Sequence, residues 1–276
     1  MNILNYIKRF PVLLYFLFTF AISWGGIVLV VGGVSQLTII SDKFNALLPL
    51  VILAILAGPS LAGLIMTILV KDKEGLKEYK TRLFKYNVRT KWYMVALFMG
   101  PLIMAAIYLI LSLFSDKFLP GILTVDNKIN FLIAGIMTGL AAGFFEEIGW
   151  TGFAIPQLRK KYGILVVGLI VGLLWALWHT LPGLWLGYAS GTVTSIPLLL
   201  SYFADSFLFL VVFRILMVWV YSKTESLLIA MIMHGSLTAA ARIFVPIGIV
   251  GIPLLIFDFI WVTTLIFITA IVLRKN

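Results

Sequence analysis

Eight stretches of almost unbroken apolar residues, near 11–33, 46–70, 92–114, 130–155, 163–182, 196–221, 226–243 and 246–273, alternate with segments carrying charge, Pro or Gly. Each is close to or above the roughly 18–20 residues that cross about 30 Å of hydrocarbon as a helix. Lipid offers no hydrogen-bond partner to exposed amides, so spanning segments must be helices or a closed barrel, and continuous apolar runs exclude the alternating barrel pattern. The pattern predicts an all-α, polytopic membrane protein with about eight transmembrane helices in one bundle, a single transmembrane domain over 1–276. The first run is longer than a signal-peptide core and lacks a small-residue cleavage site before Ser35-Gln36, which predicts a retained helix. Between the second and third runs, Lys71 to Lys91 is the one long polar stretch. It reads as an amphipathic surface helix with Leu76, Tyr79, Leu83 and Tyr86 on one face.

Composition agrees with this pattern, since 62% of the 276 residues are hydrophobic and 12% are charged, about half the charged share of a soluble domain. The net charge of +10 is explained by a rim of Lys and Arg at one membrane face, and no nucleic-acid motif accompanies it. With the N-terminus inside, sixteen of the 21 Lys and Arg fall on inner segments and four (Lys43, Lys117, Lys128 and Arg242) on outer ones, with Arg214 inside a span. This bias predicts a multi-pass protein of the cell membrane with both termini cytoplasmic. Cysteine is absent, so thiolate nucleophiles and Cys-ligated metals are excluded and any chemistry falls to Glu, Asp, His or Ser.

Ionisable groups in hydrocarbon are expensive and therefore mark function. Glu146, Glu147, His179, Asp205, Arg214 and His234 stand out within apolar runs, and they include both histidines of the chain. The fourth run reads Gly135-x3-Gly139-x3-Gly143, and the same four-residue step reaches Glu147 and Thr151. The fifth run carries a similar stripe, Gly168, Gly172 and Ala176, ending just before His179. Small residues at this spacing let helix backbones approach closely, so two tightly packed helices are expected to bring the glutamates and His179 into one buried site. Two imidazoles and a carboxylate pair on three spans form the set that activates a water or holds a metal ion. Asp205 and Arg214 lie nine residues apart on opposite helix faces, so each is expected to meet another helix or to reach for the interface.

These residues resemble the CAAX prenyl protease and bacteriocin-processing (Abi) family of intramembrane proteases, whose motifs are Glu-Glu-x3-Arg, Phe-x3-His and His-x3-Asn/Asp on successive helices. The chain shows Glu146-Glu147-Ile148-Gly149-Trp150-Thr151-Gly152-Phe153, then Trp175-x3-His179, then His234-x3-Thr238, in that order. The likeness covers about 130–242, and Gly58-Pro59-Ser60 also resembles members of the family. The resemblance implies hydrolysis of a peptide bond in a membrane-associated or lipid-anchored peptide or protein. It casts Glu146 as general base, with Glu147 beside it, His179 as a holder of the water and His234 as a stabiliser of the oxyanion. It leaves the catalytic type open between glutamic and metal-dependent, and a zinc ion is chemically compatible with Glu146, His179 and His234. Two positions depart from the pattern: Thr151 replaces the motif arginine, and Thr238 replaces the final amide or acid. Thr151 supports Glu147 by hydrogen bonding without neutralising it, and Thr238 offers a hydroxyl to an oxyanion. The departures also suit a second reading, a non-enzymatic protein of the same fold serving bacteriocin immunity or partner binding.

Overall fold

The computed structural model describes residues 3–274, and Lys275, counted above among the inner cations, lies outside the described residues. Its helices are α1 (Ile3–Arg9), α2 (Pro11–Val31), α3 (Phe44–Leu83), α4 (Thr90–Ser112), α5 (Gly121–Thr124), α6 (Lys128–Glu147), α7 (Ile155–Arg159), α8 (Ile164–Ala189), α9 (Ile196–Thr224), α10 (Leu227–Phe244) and α11 (Ile252–Arg274). Eight spans among the described residues are long and apolar enough to cross a membrane, the fourth running from Lys128 to Arg159 through α6 and α7. Large apolar side chains such as Leu29, Leu113, Phe114 and Phe259 stand exposed on the outside of the bundle, as expected where the surrounding solvent is lipid.

Helix ends follow local chemistry. Pro11 occupies the first turn of α2, where its missing N–H costs nothing, and Gly32 closes that helix at φ 92°. Ser226 caps α10 by accepting from the Ile229 amide at 3.2 Å, just after Glu225 ends α9 in a left-handed conformation.

The principal packing pairs are α6 with α10, α8 with α9, α2 with α3, and α4 with α10. The glycine stripes explain two of them, and they correct the expectation that α6 and α8 pack through their stripes. A Cβ at Gly139 would strike Gly235 and Ala239, and one at Gly143 would strike Met231 and Gly235, all on α10. On α8, Gly168 receives Ile215 and Gly172 receives Val211 and Arg214, all on α9. Each stripe thus draws in a different helix, so the glutamates meet His234 through one stripe and Arg214 approaches through the other.

The polar stretch after the second span also differs from expectation. Helix α3 turns at a kink at Asp72 (φ 53°, ψ −142°) into a second helical segment that ends at Leu83. Tyr79 is buried, whereas Tyr86 lies beyond the helix and is exposed, because the chain leaves helix there and reaches α4 through an irregular connection.

Candidate active site

The site is built where α6 ends. After Glu147 the chain does not stop but widens into a π-helical turn, Trp150–Ala154, in which the Phe153 and Ala154 amides both reach the Gly149 carbonyl (2.9 and 3.0 Å). Such turns often mark functional positions. Gly149 permits the close packing here, since a side chain at this position would collide with the Pro59 carbonyl and the Tyr15 hydroxyl. From the same proline-bent turn of α3, the Ser60 hydroxyl donates to the Phe145 carbonyl at 2.6 Å, holding the residue before the glutamates. The Gly58-Pro59-Ser60 turn therefore acts as a brace for the site.

Glu147 is fully buried and saturated with partners. Its Oε1 accepts from Arg214 Nη1 and from His234 Nδ1, each at 2.8 Å, and its Oε2 accepts from the Thr151 hydroxyl. Arg214 is equally buried, and its guanidinium lies 3.9 Å from the centre of the Trp175 ring. Sequence reading expected Arg214 to meet another helix, and it does so on the residue whose charge Thr151 leaves unbalanced. The cation missing from the motif position is supplied by α9.

Glu146 is in a different position. Its Oε2 accepts from the Trp175 indole at 2.9 Å and from the Trp150 indole at 3.3 Å, and it lies 3.9 Å from His234 Nε2. A carboxylate can only accept, so His234 must donate from Nδ1 to Glu147, which leaves Nε2 as the ring nitrogen facing Glu146. A separation of 3.9 Å is too long for a direct hydrogen bond and suits a bridging water.

The remaining candidates fall around this centre. His179 is partly exposed, donates from Nδ1 to the Trp175 carbonyl at 2.9 Å, and packs on the Trp175 and Trp178 rings. Thr238, one turn beyond His234, makes no side-chain hydrogen bond among the described residues. No group of three His, Asp or Glu side chains among the described residues is arranged to hold a metal ion, so Glu146, His179 and His234 do not form such a set as they stand.

The fourth and fifth spans both run further than hydropathy drew them. The chain stays helical through Arg159, and α8 continues to Ala189, beyond the end at 182 expected from hydropathy. His234 is seven residues into α10, about 10 Å from its start, and Arg214 is ten residues before the end of α9, about 15 Å. Both are measured from the end of the bundle that bears Lys71–Lys91, Arg159–Lys161 and Lys223. The site therefore sits within the half of the bundle nearest the basic rim.

Several residues of this neighbourhood were not singled out from sequence. Trp150 and Trp175 stand in the motif stretches without an expected role, and only the direction of their indoles in space makes them donors to Glu146. Asp258 of α11 is a further fully buried acid, and it neighbours Asp205 rather than the site. A lone Asp in a 23-residue apolar helix was the signal available for it.

Comparison with known proteins bears on this same stretch. Residues 128–240 match the family model described as Type II CAAX prenyl endopeptidase Rce1-like. The CAAX prenyl protease 2 of Methanococcus maripaludis is 26% identical over 171 residues, which span 60% of this chain and 60% of that protein. The segment matched by the family model begins with α6 and ends in α10, and so contains Glu146, Glu147, His179, Arg214 and His234.

Proposed function

We propose that this chain, whose residues 128–240 match the family model of Rce1-like CAAX prenyl endopeptidases, is an intramembrane endopeptidase that cuts a prenylated, membrane-anchored peptide. The observation that carries this reading is the 3.9 Å gap between Glu146 and His234 Nε2. It is bordered by Glu146, whose other oxygen makes no hydrogen bond among the described residues, and it is backed by Glu147, whose two oxygens accept three.

A water seated beside this pair, within hydrogen-bond reach of both side chains, is held by Glu146 and His234. Glu146 takes its proton while the water oxygen bonds to the scissile carbonyl carbon and the carbonyl electron pair moves onto oxygen. When protonated, His234 keeps its Nδ1–H on Glu147 and turns a second N–H, at Nε2, toward the oxyanion, while His179 approaches from the partly exposed side. Collapse breaks the C–N bond, and Glu146 returns the proton to the departing amine. Glu147, paired with Arg214, orients the imidazole and balances charge without touching the reacting atoms. The two indoles keep the Glu146 carboxylate pointed at the water. The basic rim faces the cytoplasm in this reading, so both termini do too.

Cleavage of a prenylated peptide by the purified protein in nanodiscs tests this. Glu146→Gln should lower turnover by about 10²–10⁴-fold, the usual worth of a general base, and His234→Asn by a comparable factor. Turnover unchanged in Glu146→Gln would refute the assignment. Tight binding without turnover by the unmodified protein would favour the partner-binding alternative. A parallel assay with chelator, followed by metal add-back, reports on zinc.

A further inference from the structure

A cavity of about 1030 Å³ lies at the basic end, between the polar half of α3, α7 and the end of α9. Six cations and three acids line it. Two of the acids are spoken for, Glu78 by Lys71 and Glu225 by Lys85. Lys77, Arg82, Arg159 and Lys160 line the cavity without forming an ion pair among the described residues, although Arg82 and Lys160 lie within the field of Glu78. Such a surplus of positive charge at a lipid interface favours an anionic occupant.

Arg82 ties this cavity to the active site. Its Nη2 donates to the Gly152 carbonyl at 2.9 Å and its Nη1 to the Tyr221 hydroxyl at 3.0 Å. Its Nε also donates to the Glu78 carbonyl at 3.4 Å, and each Nη carries one more N–H that an anion can use. Gly152 lies six residues after Glu146 in the helical continuation of α6, about 9 Å along the axis toward the basic rim.

That spacing has a counterpart in the substrate class. A CAAX box ends its protein, so its last residue bears a free carboxylate. A peptide bond cut within the box lies at most three residues from that carboxylate, about 10 Å when extended. With the scissile bond at Glu146, the terminus reaches the neighbourhood of Arg82.

We propose that the basic cavity receives the C-terminal carboxylate of the substrate, with Arg82 as its principal contact and Lys77 and Lys160 as supporting charges. This rests on the endopeptidase reading and narrows it, because a site so built selects peptides with free C-termini over internal or amidated sequences. Arg82 is here a specificity-determining residue and not a catalytic one.

The test uses two prenylated peptides of one sequence, ending in a carboxylate or in an amide, cleaved by the full chain in nanodiscs of zwitterionic lipid. The free acid should show a KM at least about tenfold below that of the amide, the worth of one good charge-assisted contact. Arg82→Gln should raise KM for the acid far more than for the amide, bringing the two together. A role of Arg82 confined to bracing the π-helical turn would slow both peptides alike and would overturn the proposal. The double variant Lys77→Gln/Lys160→Gln leaves the bonds of Arg82 in place and should erode the preference by a few-fold. Equal cleavage of both peptides by the unmodified protein would overturn this inference and leave the endopeptidase reading standing. Cleavage of neither would remove both. Turnover that follows anionic phospholipid content while ignoring the peptide terminus would make the cavity a headgroup site and overturn the proposal.

Discussion

Replacing Arg214 by Met removes a cation from a place where nothing else can supply one. Arg214 and Glu147 are both fully buried, their contact is 2.8 Å long, and the guanidinium also lies 3.9 Å from the Trp175 ring centre. Met fills much of the same volume, so the loss is electrostatic more than steric. It strands a carboxylate that retains only the Thr151 hydroxyl and the His234 ring as partners. Breaking a buried pair from one side costs about 3–5 kcal/mol, most of it the penalty of the charge left behind. Thermal unfolding in detergent should register this as a fall in midpoint on the order of 10 °C. Glu147→Gln made alone should cost a similar amount, whereas the double variant Arg214→Met/Glu147→Gln should recover a large part of it, because no isolated charge remains. Activity of the Arg214→Met protein should fall as well, since Glu147 aims the His234 ring. A melting curve unchanged by Arg214→Met, or strictly additive losses in the double variant, would refute the claim that α9 supplies the missing motif cation.

Other consequences are as direct. Trp175→Phe removes the 2.9 Å indole contact to Glu146 and weakens the seat of Arg214. It should reduce turnover several-fold while binding of substrate, measured by fluorescence, changes little. Gly139→Ala drives a methyl group into the Gly235 backbone and Ala239, so it should destabilise by about 1–3 kcal/mol and separate α6 from α10, read as joint loss of stability and activity. Ser60→Ala deletes the 2.6 Å bond to the Phe145 carbonyl and should cost about 1 kcal/mol in a thermal melt. Asp258→Asn should raise the melting midpoint, because it relieves two neighbouring acids in an apolar setting at a position away from the proposed chemistry.

Hydrophobic periodicity alone determined that the chain is an eight-span helical membrane protein, because backbone groups in lipid have no alternative to helix and an apolar run of adequate length has no alternative to lipid. The same logic singled out Glu146, Glu147, His179, Arg214 and His234, since a charge in hydrocarbon is retained only where something needs it. Sequence could not say which helix each glycine stripe receives. A stripe of small residues specifies closeness but carries no address, and the choice of α10 for α6 and α9 for α8 depends on how the whole bundle closes. The division of labour between two adjacent glutamates was likewise invisible, because they differ only in the roughly 100° of helix that separates them. Three-dimensional packing turned Glu147 toward Arg214, His234 and Thr151, and turned Glu146 toward two indoles and the facing imidazole nitrogen. Electrostatic balance in a bundle is settled between helices distant in sequence. A threonine at the arginine position of a motif therefore reads as a loss along the chain, yet Arg214, 63 residues further on, restores the cation across the helix interface.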